Sequence, residues 1–207
     1  LLSEIDDLGL SDNTIVIFTS DNGPTHGSRN PNFHVGGAGC KFFNSNAGLN
    51  GYKGSCYEGG LRVPCIVRWP GKVAAGSQND FPSYFPDWFP TLAEIGNGKT
   101  PSGQTLDGIS LVDQVQGQPT KRNKPLIWNF TGYGGIVAVR DGDWKAIRRN
   151  LNQKQPADWE LYNITNDPSE TKDVASAHPE IVKAMENAFL ADRTIEPNFP
   201  LNLYDQQ

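Results

Sequence analysis

TIVIFTSDNGP (Thr14–Pro24) and, after a long loop, GYKGSCYEGGLRVP (Gly51–Pro64) are the stretches from which the rest of the chain is read. Thr14 to Phe18 is β-branched or aromatic throughout, which predicts a buried strand. It runs into Ser20-Asp21-Asn22-Gly23-Pro24. A carboxylate and an amide therefore stand side by side at the C-terminal end of a strand, where α/β sheets place their ligands. Asp21 and Asn22 offer oxygen and neither sulfur nor imidazole, a donor set that suits a hard cation such as calcium or magnesium. Two donors do not complete a calcium shell of about six to eight oxygens. The same four residues, Asp-Asn-Gly-Pro, also make an ordinary turn, so both readings stand at this point.

The second stretch adds a cation. Lys53 lies among Gly51, Gly54, Gly59 and Gly60. Glycine lets a backbone approach a ligand closely, and a lysine there can present an ammonium to an anion. Glu58 and Arg62, four residues apart, are expected to form a local ion pair that holds the loop rather than to act on a substrate.

The residues SDNGP (20–24), GYKGSCYEGGLRVP (51–64) and RWPG (68–71) together resemble the type I, formylglycine-dependent sulfatases of the alkaline phosphatase superfamily. DWFPTL (87–92), LDGISL (106–111) and LYNITNDPSE (161–170) continue the resemblance over most of the chain. It implies that Asp21 and Asn22 are the later pair of ligands to a calcium ion, with magnesium the second choice, and that Lys53 contacts the substrate sulfate. It also implies a periplasmic, secreted or lysosomal setting. One element of the family pattern is missing. The sulfatase nucleophile is a Cys or Ser in C/S-x-P-x-R, oxidised to formylglycine, and Cys40, Cys56 and Cys65 are followed by Lys-Phe, Tyr-Glu and Ile-Val. The family's first acidic metal pair and catalytic histidine also lie ahead of the matched region. The chain thus resembles the C-terminal portion of a sulfatase with no catalytic residue of its own, and the formylglycine is expected in an N-terminal part of the same enzyme.

The remaining sequence fits that expectation. The net charge of −5 gives no basic footprint for nucleic acid, and no apolar run is long enough to span a bilayer. Three cysteines define no disulfide framework. Leu1, Ile5 and Leu8 repeat at helical spacing before Gly9, with no start signal ahead of them, which predicts a helix already under way at residue 1. The loop from Thr25 to Asn50 is long enough to be functional. Its His26, nearest the acid–amide pair in sequence, is a candidate for substrate contact, and Phe33, Phe42 and Phe43 are expected to pin the loop to the core. Pro64–Trp69 predicts a second strand. Trp88–Ile95 predicts a helix capped by Asp87 and buried through Trp88 or Phe89, Leu92 and Ile95. GQPTKRNKP (117–125) is a boundary. The fold expected is α/β: residues 1–120 form the C-terminal part of an alkaline-phosphatase-like mixed-sheet domain, and 121–207 a small α+β subdomain. In the latter, strands at 126–130, 135–140, 144–149 and 159–163 make an antiparallel meander with a hairpin at Asp141-Gly142. A helix opening at Pro179 lays Ile181, Met185, Ala188 and Phe189 on it. Lys145, Arg148, Arg149 and Lys154 are expected to be a solvated basic face.

The function expected is a share in sulfate-ester hydrolysis, on a sulfated carbohydrate or an aryl sulfate. This chain would supply Asp21, Asn22 and Lys53 and be inactive alone. Two alternatives are a phosphatase or phosphonate hydrolase of the same superfamily, and a glycan-binding module without catalysis.

Overall fold

The computed structural model describes residues 1–25, 43–119 and 121–205. In chain order the elements are α1 (Leu2–Asp7), β1 (Val16–Thr19), α2 (Glu58–Leu61), β2 (Cys65–Arg68), α3 (Trp88–Ile95), α4 (Val112–Val115), β3 (Leu126–Phe130), β4 (Ile136–Asp141), β5 (Trp144–Arg149), β6 (Glu160–Asn163), α5 (Pro179–Asp192) and α6 (Asn202–Asp205). They group into two compact units, Leu1–Thr19 with Pro64–Lys124, and Ser20–Val63 with Pro125–Gln207.

In the first unit β1 pairs antiparallel with β2, Phe18 opposite Ile66. The predicted buried strand is only half covered. Phe18 is 64% exposed and Ile66 61%. Side chains alternate along a strand, so this cross-strand pair shares one face of the ribbon and leaves that part of it largely open. Helix α3 has the predicted bounds, but its apolar residues are not all inside, with Phe89 and Leu92 about half exposed. Nor does Asp87 cap α3 through its side chain. It is fully buried. Its carboxylate accepts the amides of Tyr84 and Ile109, each at 2.9 Å, and the Arg122 guanidinium at 2.9 and 3.0 Å. A buried carboxylate needs partners on every side, and a distant arginine satisfies it better than one helix terminus could.

The second unit is built on a four-stranded antiparallel sheet in the order β3-β4-β5-β6. The register Asp141↔Trp144 closes the expected hairpin. Alternation sends Val137, Val139, Ala146 and Leu161 to one face, where they join Leu151, Met185, Phe189 and Leu201 in a buried core. That face is covered by α5, whose Pro179 sits at its first turn as predicted. The opposite residues, Ile136, Ala138, Ile147 and Tyr162, face the other way and pack with Cys56, Tyr57, Leu61 and Trp128. The glycine-framed stretch read first in the sequence is therefore the cover of the sheet's second face. The loop is thereby part of a core.

Phe189 is fully buried, and the Tyr204 ring lies 5.3 Å from it edge-on. Phe189→Ala is expected to cost about 3–5 kcal/mol, read as a lower denaturation midpoint with an unchanged m-value.

Candidate functional site

The acid–amide turn is fastened to the glycine-framed loop through main chain. Gly23 N–H donates to the Gly60 carbonyl at 2.9 Å, and Lys53 N–H donates to the Pro24 carbonyl at 3.0 Å. Gly59 N–H in turn reaches the Asn50 carbonyl at 2.6 Å. These contacts demand glycine. A Cβ at Gly23 would stand 1.9 Å from the Gly59 oxygen, and one at Gly59 would stand 2.4 Å from the Gly51 oxygen. The glycines of the second stretch are thus spent on letting two backbones touch. The result puts the Lys53 main chain against the residue that follows Asp21-Asn22-Gly23.

The side chains at this junction are open to solvent. Asp21 and Lys53 are exposed and Asn22 is half-buried. The Asn22 side-chain amide donates to the Gly23 carbonyl at 2.9 Å, which turns its Oδ1 away from that bond and leaves it as an acceptor. Among the described residues nothing bonds the Asp21 carboxylate. Two outward oxygens from Asp21 and Asn22 fit a hard cation in type, and the rest of a shell would come from elsewhere. Among the described residues no group of three or more His, Cys, Asp or Glu is placed to hold a metal ion. His26 and Cys40 lie outside the described residues. Phe43 is 68% exposed, so it does not pin the loop as expected, while Phe33 and Phe42 are again outside them. A groove of about 1060 Å³ between Trp69, Phe81, Trp88 and Gln114 is lined by none of the candidate residues.

What holds this loop is a buried ion cluster. The Lys145 ammonium, fully buried on β5, is 2.8 Å from Glu58 Oε1 and 2.9 Å from Glu170 Oε1. Glu170 also accepts the Glu58 amide at 2.7 Å through Oε2. Arg62 meets Glu58 at 2.7 Å, as the sequence spacing predicts, and Arg140 approaches to 4.0 Å. Of the basic cluster only Lys154 is exposed as expected, and the other three are partnered. Lys145 is inside, Arg148 reaches Glu186, and Arg149 binds Glu160. Charge runs are read as surface because burial is costly, but here Lys145, Arg148 and Arg149 each have an acidic partner. Glu160 is itself the acceptor for the hydroxyls of Tyr57 and Tyr162, at 2.5 and 2.9 Å. Burial combined with that carboxylate pushes both phenols far above their usual range. Lys145 and Glu170 are the site-supporting residues that sequence reasoning missed. In the sequence Lys145 is only one member of a basic cluster and Glu170 only a glutamate in NDPSE.

The two carboxylates of the cluster titrate in opposite senses. Burial by itself would raise Glu58, but the Lys145 ammonium with Arg62 and Arg140 outweighs it and holds the group below its ordinary value. For Glu170 burial wins, leaving it raised despite Lys145. By linkage, the Glu58 share of stability is present above the unfolded carboxylate pKa of about 4.3 and is lost as pH falls through the folded value. The Glu170 share is present below that pKa and is lost as pH rises through its own raised value. Glu58→Gln is therefore expected to destabilise more than Glu170→Gln at neutral pH and to flatten the acid limb of a stability-against-pH profile. Lys145→Met, which leaves the two carboxylates without their shared ammonium, is expected to cost about 3–5 kcal/mol. Gly23→Ala is expected to detach the turn, seen as lost amide-exchange protection at Gly23 and Lys53 with the α5 core still protected.

Two family models match the chain. One, described as Sulfatase, covers residues 1–98, and one, described as N-sulphoglucosamine sulphohydrolase, C-terminal, covers 52–194. A sulfatase of Formosa agariphila is 34% identical over 83% of this chain and 30% of its own length. N-acetylgalactosamine-6-O-sulfatase of Bacteroides thetaiotaomicron is 30% identical over 89% of the chain and 37% of its own length. Human arylsulfatase A is 31% identical over 89% and 39%. The crystal structure of Ps i-CgsB, also solved with k-i-k-neocarrahexaose, superposes with a TM-score of 0.73 and 28% identity over 92% of this chain and 39% of that one. The chain thus spans 30 to 39% of the length of these curated relatives. No helix among the described residues is long and apolar enough to cross a membrane. With the α/β architecture, the glycine-mediated junction and these matches taken together, the chain belongs to the sulfatase family and corresponds to a C-terminal portion of such an enzyme.

Proposed function

We propose that this chain is part of a sulfate-ester hydrolase acting on sulfated carbohydrate, and that its share of the site is Asp21 and Asn22 toward a cation and Lys53 toward the sulfate. The observation that carries this reading is the main-chain junction. Pro24 O and Lys53 N–H meet at 3.0 Å, so an oxygen-donor pair and an exposed ammonium are brought onto neighbouring backbone. The carbohydrate comes from relatives that name one, the N-acetylgalactosamine-6-O-sulfatase and the structure solved with neocarrahexaose.

The chemistry follows from charge. A sulfate ester presents anionic oxygens, and cleavage puts further negative charge on the group that leaves. A preplaced ammonium stabilises that charge without reorganising at the moment of reaction. A calcium ion held in part by Asp21 and Asn22 would supply Lewis acidity at the same oxygens. Asp21 contributes a full charge and Asn22 a neutral oxygen, so the pair binds a cation without cancelling its field. His26, next along the chain, is placed by this reading near the substrate. The nucleophile is not in this chain, since no Cys or Ser stands in C/S-x-P-x-R. The chain alone is therefore inactive, and the formylglycine belongs to the N-terminal part of the same enzyme.

Calorimetry on the chain tests the assignment. Calcium is expected to bind, and Asp21→Asn to weaken it by at least tenfold, about 1.4 kcal/mol. Inorganic sulfate is expected to bind more tightly with calcium present, and Lys53→Ala to weaken it with calcium binding unchanged. Sulfate binding indifferent to both substitutions would remove the basis of the proposal, and turnover of an aryl sulfate by the chain alone would overturn its inactivity. A clear preference for phosphate over sulfate would favour a phosphatase instead.

A further inference from the structure

Strands β3 and β4 are joined by Thr131-Gly132-Tyr133-Gly134-Gly135, and the tip of this turn lies over the candidate site. Gly135 N–H donates to the Gly132 carbonyl at 3.0 Å, closing a tight turn on Tyr133 and Gly134. Both sit in the left-handed region, Tyr133 at φ 52 and Gly134 at φ 93. For glycine this is free, but for a tyrosine it is strained and persists only when the surroundings impose it. Here they do. Asn152 N–H donates to the Gly134 carbonyl at 2.8 Å, Leu151 N–H to the Gly135 carbonyl at 3.1 Å, and the Asn152 side chain reaches the Thr131 carbonyl.

That imposed backbone aims the ring at one place. A Cβ at Gly54 would stand 3.0 Å from two atoms of the Tyr133 ring. The phenol thus crosses the bare backbone of the residue next to Lys53. Yet Tyr133 remains 75% exposed, and its hydroxyl has no partner among the described residues. Phe130, 38% exposed, stands behind it with the ring centroids 5.7 Å apart. A tyrosine held for packing would bury its face, and one held for its hydroxyl would bond it. This one does neither. It offers an apolar face one peptide unit, about 3.8 Å of main chain, from the lysine.

We propose that Tyr133, backed by Phe130, is the platform on which the pyranose ring of the substrate lies while its sulfate meets Lys53. The C–H face of a pyranose is apolar and its rim polar, which suits an aromatic face flanked by solvent. This inference rests on the reading of Lys53 as the sulfate-binding group, and it adds the contact that distinguishes a sugar sulfate from bare sulfate.

The test uses the full 207-residue chain with calcium, a panel of pyranose 4- and 6-sulfates, and inorganic sulfate. Tyr133→Ala is expected to weaken the sugar sulfate it binds best by about tenfold and to leave inorganic sulfate unchanged. Tyr133→Trp is expected to restore the sugar sulfate, and saturation transfer to the ring protons is expected in the wild type and the Trp variant only. Equal weakening of both ligands would show that the ring merely latches the loop, and would overturn the platform. Unchanged affinity for the sugar sulfate, or none for any of the panel in the wild type, would overturn it as well. Lys53→Ala separates the two proposals. If it leaves inorganic sulfate unaffected, the lysine assignment fails, while a tenfold loss in Tyr133→Ala for the sugar sulfate alone would still support the ring contact.

Discussion

A single ammonium, that of Lys145, is the fixed point on which the second unit depends. It is fully buried and shared by Glu58 and Glu170. An unpartnered charge in that position would be worth far more in water than in the protein. The sheet can therefore close only if the loop that carries Glu58 is folded down onto it. The cluster makes the position of residues 51–63 a condition of burying β5, so the loop's conformation is set by the fold's own energetics and does not wait for a ligand.

The consequence is a division of labour between the two faces of the meander. One face is a conventional apolar core under α5, and it accounts for cohesion. The other is mixed. Cys56, Tyr57 and Leu61 fill space against Ile147 and Tyr162, while Glu58, Lys145, Glu160 and Arg149 fix direction through bonds that tolerate little displacement. Apolar contact is non-directional, whereas a hydrogen-bonded ion pair specifies geometry. The contacts that fix the loop carrying Lys53 are of the second kind. The buried thiol of Cys56 fits the same picture. Burial pushes its pKa up to about 11, so it packs as a small apolar group and is no nucleophile.

Glycine plays a corresponding role in the backbone. Gly23 and Gly59 allow two main chains to touch, and Gly54 allows an aromatic ring to cross. Each contact is made by removing a side chain rather than by adding one. The groups left outward, Asp21, Asn22, Lys53 and Tyr133, are all exposed or half-exposed. The second unit thus sets rigid parts beneath and open groups above.

Much of this was legible in the residues alone. The meander's strands, the DG hairpin, the Pro179 helix start and the Glu58–Arg62 pair are local, because each depends on alternation, helical spacing or turn chemistry within a few residues. The family could be read for the same reason, since its motifs are contiguous. The sequence could not say that Lys145 is buried, that Asp87 answers Arg122 instead of capping α3, or that Phe18 and Ile66 stay exposed. Nor could it say that Tyr133 lies over Gly54. Those facts concern distant partners, such as Arg122 for Asp87 and Glu58 for Lys145, 35 and 87 positions away along the chain. Whether a charge or an aromatic ring ends inside or outside is decided by which distant group arrives beside it, and only the closed fold determines that.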